Sequence, residues 1–224
     1  MNTDNQELLI SLKNQTKAVG VQESLSDNQN SNLTRAPKLA KKKSIEVGLI
    51  IGNRIPRKFF WTSGVGESDI TVHAGSYHLA LKEAGIERYN IMVYSSIMPA
   101  IAIESEKPKQ EEIVHGSVLE SIMAVVSGKK GKRLTAGIIY GWLYHKVTGK
   151  KYGGLVCEYS GNQKEEDAQA SLKASLNELY INGFSKDYDL KDMRLESRSF
   201  IPKKEFGTAM VVIGFKDYVY PLVQ

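Results

Sequence analysis

A single cysteine, Cys157, in 224 residues leaves no material for an internal disulfide framework or for a CxxC metal or redox site. No apolar run approaches the roughly 20 residues that a membrane-crossing helix needs, so no membrane contact is expected. The opening MNTDNQELLISLKNQTK lacks a basic start followed by a long apolar core, which argues against a secretory signal and for a cytoplasmic protein. The four histidines, His73, His78, His115 and His145, make neither HExxH nor HxH spacing, so no metal is expected. A GK[ST] phosphate loop and a GxSxG nucleophile elbow are also missing.

What is present suffices for a core: hydrophobic residues make up 42% and charged residues 25%, so the chain folds without staples. The net charge of +5 would permit a nucleic-acid partner. The basic clusters Lys38–Lys43 and Lys129–Arg133 are not interleaved with aromatics, however, and read as solvated tail and loop charge. A basic RNA-binding domain is therefore the weakest functional reading, and no nucleic acid is expected. Residues 1–43 are rich in Asn, Gln, Ser and Lys and read as a flexible polar tail. The folded domain is expected over 44–224.

Within that domain the pattern mixes strands and helices. Strands are expected over 45–51, 58–62, 90–94 (short and buried), 134–147, 154–159, 194–201 and 208–215. Helices are expected over 76–84, with Gly85 as the stop, and over 165–183. Ser117-Val-Leu-Glu120 fits a capping box and predicts a third helix running to Gly128. Thr148–Lys151 reads as a hairpin turn. This mixture predicts an α+β layered sandwich.

Three places invite chemistry. Gly64-Val-Gly-Glu-Ser-Asp69 lacks the third glycine of a dinucleotide loop and reads as a tight turn, or as a close approach of backbone to a ligand. Ser95-Ser96 precedes Ile97-Met98-Pro99 at a strand end; alone it is a polar turn, since a serine needs an activating base. Glu158 interrupts the apolar Leu155–Tyr159. It is either a solvated outward residue or, facing inward, a desolvated carboxyl able to donate a proton.

Taken in order, these segments resemble the pyruvoyl-dependent arginine decarboxylases across most of residues 57–215. The resemblance is carried by Gly64–Asp69, Ala80–Ile86, Asn90–Pro99, His115–Ala124, Gly154–Tyr159 and Phe206–Met210. It implies an αββα sandwich that cuts itself between Ser95 and Ser96 into chains 1–95 and 96–224. The Ser96 hydroxyl would attack the Ser95 carbonyl, and residue 96 would end as a pyruvoyl group, the cofactor. Asn90 matches the family residue near that carbonyl, where an amide stabilises the oxyanion. Glu158 matches the acid that protonates the α-carbon after carbon dioxide leaves a Schiff base with the pyruvoyl ketone. For that role a dry, inward-facing site is expected.

The implied reaction converts arginine to agmatine, consumes a proton, and suits polyamine supply or acid resistance. The implied assembly is a homotrimer of cleaved pairs. One departure stands out. His78 occupies the position where better-known members carry an aspartate for the substrate guanidinium, so either another acid substitutes, with Asp69 and Glu83 as candidates, or the substrate is an amino acid other than arginine. The competing reading is an uncleaved relative that binds a small cationic ligand without turnover.

Overall fold

Two apolar stretches of the sequence become strands covered on both faces. The computed structural model describes residues 52–221; the expected tail 1–43 and strand 45–51 lie outside the described residues. The elements are β1 (Ile55–Ser68), α1 (His78–Ala84), β2 (Asn90–Val93), β3 (Ile97–Pro99), β4 (Ile103–Glu104), β5 (Val118–Lys129), β6 (Leu134–His145), β7 (Lys151–Gly161), α2 (Glu165–Gly183), β8 (Tyr188–Phe200) and β9 (Phe206–Val219). A π-helical turn, Val72–Tyr77, leads into α1.

The strands form a five-stranded sheet ordered β2-β5-β9-β1-β4 and a four-stranded sheet ordered β3-β7-β6-β8. Alternation along β9 shows the layering. Ala209, Val211, Ile213 and Phe215 pack against Ile138, Tyr140 and Trp142 of β6, filling the space between the sheets. The intervening Met210 and Val212 pack on Ala80, Leu81 and Ala84 of α1. On the far side, Ile139, Leu143 and Leu155 meet Leu172 and Leu176 of α2. The order is helix, sheet, sheet, helix, as the α+β expectation requires. Both central strands read as continuous apolar runs because neither face meets water. Helix α2 buries Ala168, Leu172 and Leu176 at four-residue spacing and carries Glu165, Glu166 and Asp167 in its first turn, where the helix dipole favours negative charge.

Three expectations are corrected. The capping-box segment is strand β5, which pairs in parallel with β2 and antiparallel with β9. Its run from Ile122 to Val126 is apolar on both faces, a pattern that periodicity cannot separate from a helix, and β-branched Val125 and Val126 suit the strand. Ser117 gives its hydroxyl to the Val114 carbonyl instead of capping. The Gly64–Gly66 segment is no loop: both glycines lie inside β1, where α1 and the turn before it cross the sheet. A Cβ on Gly64 would stand 2.2 Å from the Ala80 carbonyl oxygen, and one on Gly66 2.1 Å from that of Ser76. The close approach is of helix backbone, not ligand. Finally, β2 is a largely exposed edge strand, not a buried one. Gly85 does end α1, in the left-handed conformation at φ 71°.

Candidate active site

Between β2 and β3 the chain leaves one sheet and joins the other, and Ser95-Ser96 forms the crossing. On the near side the Tyr94 N–H donates to the Ser121 carbonyl at 2.7 Å. On the far side β3 pairs with β7, Ile97 opposite Leu155 and Pro99 opposite Gly153. Met98 is fully buried between the sheets and pins this short strand. Gly153 and Gly154 let β3 lie close: a Cβ on Gly154 would press at 3.0 Å on the Trp142 ring and at 3.2 Å on the Met98 Cβ.

At the crossing the backbone folds back tightly. The Ile97 N–H donates to the Ser95 carbonyl at 2.8 Å, and the Val156 N–H to the Ser96 carbonyl at 3.2 Å. The first bond spans three residues, the pattern of a γ-turn centred on Ser96. The Ser96 hydroxyl lies 2.6 and 2.8 Å from the two carboxylate oxygens of Glu158. Strand alternation puts Glu158 on the face of Val156, toward the other sheet, while Cys157 and Tyr159 face α2. Glu158 thus points inward, yet lies at the sheet edge and is exposed in the single chain, so the expected dry surroundings are not supplied by one chain alone.

This arrangement contains a hydroxyl nucleophile, a carboxylate able to take its proton, and a carbonyl already polarised by a backbone donor. The neighbouring thiol is no competitor. Burial, then the nearby Glu158 charge, push the Cys157 pKa up, which keeps the thiol protonated.

The other expected site residues lie elsewhere. The Asn90 side-chain amide donates to the Gly116 carbonyl at 2.7 Å, at the far end of β2 from Ser95. His78 is exposed at the start of α1. Asp69 accepts the Glu205 N–H at 3.3 Å. Glu83 accepts the Val65 N–H and an Arg198 guanidinium. Tyr94 sits on Ser121, opposite Gly214 of β9, whereas the turn leading into α1 crosses Gly66, opposite Thr208. Six residues of β9 separate these levels, roughly 20 Å at strand rise. A single chain therefore unites Ser95, Ser96 and Glu158 but not His78 or Asp69 with them.

One further residue was missed by sequence reasoning. Glu120, read there as part of a helix cap, is 3% exposed and meets Arg54 and Tyr94. The usable signal was an acid within an apolar strand, the same signal that singled out Glu158. A cavity of about 480 Å³ between α2 and β8 is lined by neither glutamate.

Fold and crossing together describe a layered α+β protein with a hydroxyl and a carboxylate in contact at a tight strand-to-strand link. Residues 58–220 match the family model of pyruvoyl-dependent arginine decarboxylase. The chain is 30% identical over 190 residues to pyruvoyl-dependent arginine decarboxylase AaxB of Chlamydia muridarum, covering 75% of this chain and 94% of that one. It is 38% identical over 135 residues to pyruvoyl-dependent arginine decarboxylase 1 of Archaeoglobus fulgidus, covering 54% of this chain and 80% of the relative. Against the enzyme of the same name from Methanosarcina acetivorans it is 28% identical over 173 residues, 76% and 99% of the two chains. The chain belongs to the pyruvoyl-dependent arginine decarboxylase family, and so to the carboxy-lyases. Among the described residues no helix is long and apolar enough to cross a membrane.

Proposed function

We propose that the chain processes itself at Ser95–Ser96 and then decarboxylates arginine to agmatine. The observation that carries this reading is the Ser96 hydroxyl held on the Glu158 carboxylate, one peptide unit from a carbonyl that already accepts the Ile97 N–H. Ser96 Oγ gives its proton to Glu158 and bonds to the Ser95 carbonyl carbon. The Ser95–Ser96 C–N bond breaks, and the nitrogen takes up a proton. Loss of the Ser96 α-proton then expels the ester carboxylate as the new end of chain 1–95, leaving dehydroalanine. Water adds and ammonia leaves, so chain 96–224 begins with a pyruvoyl group. The Ile97 N–H meets the oxyanion of the first step.

The residues present fit this group, because its parent side chain and carbonyl are both held, by Glu158 and by the Val156 N–H. Once formed, it supplies a ketone that engages the substrate amine and accepts the electron pair left by carbon dioxide. Glu158 then holds the proton that the α-carbon receives, and needs drier surroundings to do so near neutral pH. A neighbouring copy in a homotrimer of cleaved pairs provides that cover. The same neighbour brings His78 and Asp69, which lie too far away within one chain. Asp69 is the freer acid for a guanidinium, since Glu83 is already tied to Arg198. No observation favours the uncleaved cation binder.

Denaturing electrophoresis and intact mass of purified protein test the first half: chains 1–95 and 96–224 are expected, the second borohydride-reactive at its amino end. Carbon dioxide release across arginine, lysine, ornithine and histidine tests the second. A persistent full-length chain would overturn the processing, and preference for another amino acid would overturn the substrate.

A further inference from the structure

Glu120 takes no part in the chemistry above, yet the fold buries it at a cost. A carboxylate removed from water is tolerated only with partners. The Arg54 Nε donates to Glu120 Oε2 at 3.1 Å while its Nη2 meets Oε1, a two-point grip. The Tyr94 hydroxyl donates to the same Oε2. Replacing such a pair with apolar side chains is often neutral or stabilising, so stability alone is a poor reason to keep it. What the pair does hold is a phenol, and that phenol belongs to the residue just before the crossing.

Tyr94 is fixed three ways. Its hydroxyl is on Glu120, its ring lies 5.7 Å from that of Phe215, and its N–H is on Ser121. Two residues later the Ser96 side chain is fixed on Glu158 from the other sheet. The Ser95–Ser96 bond is thus strung between two anchors, each ending on a glutamate. Attack by Ser96 Oγ requires the Ser95 carbonyl carbon to be presented to it while the planar amide resists twisting. A free upstream end would let the carbonyl rotate away; an anchored one keeps it in line.

We propose that Glu120 is a positioning residue for the self-cleavage step, acting through Tyr94, with Arg54 holding it in place. This rests on the processing reading above and adds the upstream anchor to it. The test follows full-length protein, made by rapid cell-free synthesis, as it converts to 1–95 and 96–224. Tyr94→Phe keeps the ring and loses the hydroxyl. It is expected to slow cleavage at least about 10-fold, toward the 100-fold that an ångström of misplacement costs, with its thermal midpoint close to wild type. Hydroxylamine, which intercepts the ester, should release fragments from Tyr94→Phe more slowly by the same factor, because ester formation is the slowed step.

Glu120→Leu should behave like Tyr94→Phe. Glu120→Gln retains an acceptor for the phenol and should restore most of the rate; Arg54, with its side chain 43% exposed, can then be hydrated. A purely structural role would move the midpoint and leave the hydroxylamine rate alone. If wild type splits and folded Tyr94→Phe splits equally fast, this proposal falls while the processing reading stands. If wild type does not split, that reading falls and takes this one with it.

Discussion

Two glutamates face the space between the sheets, one on each side of Ser95–Ser96, and the fold treats them in opposite ways. Glu120, on β5, is 3% exposed and carries an arginine and a phenol. Glu158, on β7, is exposed in the single chain and holds the Ser96 hydroxyl. A carboxylate gripped by a guanidinium and a phenol is a fixed support. One left with a lone hydroxyl keeps the freedom to take and return a proton. Identical side chains acquire different work from what stands beside them.

The strongest way to break this contrast is Ser96→Ala. On the proposed mechanism it removes the attacking atom and the precursor of the pyruvoyl group together, so full-length chain and no carbon dioxide release are expected; two chains from this variant would end the account of the crossing. Next comes Glu158→Gln. The amide oxygen still accepts from Ser96 but cannot take its proton, so the two chains should form more slowly, and in those that do form no proton can be handed to the α-carbon. Turnover per pyruvoyl group should fall by about 100- to 10,000-fold, the usual weight of general acid catalysis. Unchanged turnover would remove Glu158 from the second reaction.

How far the sequence alone reaches is shown by the same residues. Helix α2 and strands β6 to β9 were legible, because one face of α2 repeats every four residues and the strands are bounded by glycine and loop signals. Strand β5 was not: covered on both sides, it loses the alternation that marks a strand, and Ser117–Glu120 imitates a cap. Glu158 and the serine pair were visible as exceptions to their surroundings, but the contact between Ser96 and Glu158, 62 positions apart, depends on β3 pairing with β7. That Asn90 and His78 lie away from the crossing needs the strand registers, which no local pattern encodes. Glu120 was hidden by the wrong secondary structure.

The glycines of β1 sharpen the comparison from the scaffold side. Gly66→Ala would drive a Cβ to 2.1 Å from the Ser76 carbonyl oxygen and 2.5 Å from the Ala80 nitrogen, neither of which is a flexible side-chain end. A loss of about 3 kcal/mol in urea unfolding is expected, the upper range of overpacking. Gly116→Ala meets nothing within 4 Å and only pays for φ 82°, about 1 kcal/mol. Equal losses would mean that backbone conformation, not helix approach, sets the demand for glycine in β1.

The smallest effect is expected at a second arginine–carboxylate pair, close along the chain to the first but in water. Arg57 donates to both oxygens of Asp217, at 3.3 and 3.0 Å, and the Lys58 N–H adds a bond at 2.9 Å. The Arg57 hydrogen bonds, chiefly, hold the Asp217 pKa below its ordinary 3.8. A folded pKa below the unfolded one adds stability above the unfolded value, which is lost as pH falls through the folded value. Asp217→Asn keeps an acceptor for Lys58 and discards the charge. Wild type should therefore be slightly the more stable at pH 7, the gap closing below about pH 4 and shrinking in 1 M salt, where the screening length is about 3 Å. Urea unfolding of both proteins at pH 7 and pH 3, with and without salt, measures it. A gap that survives acid and salt would show that Asp217 acts through packing, and that exposure does not separate this pair from the buried one at Glu120.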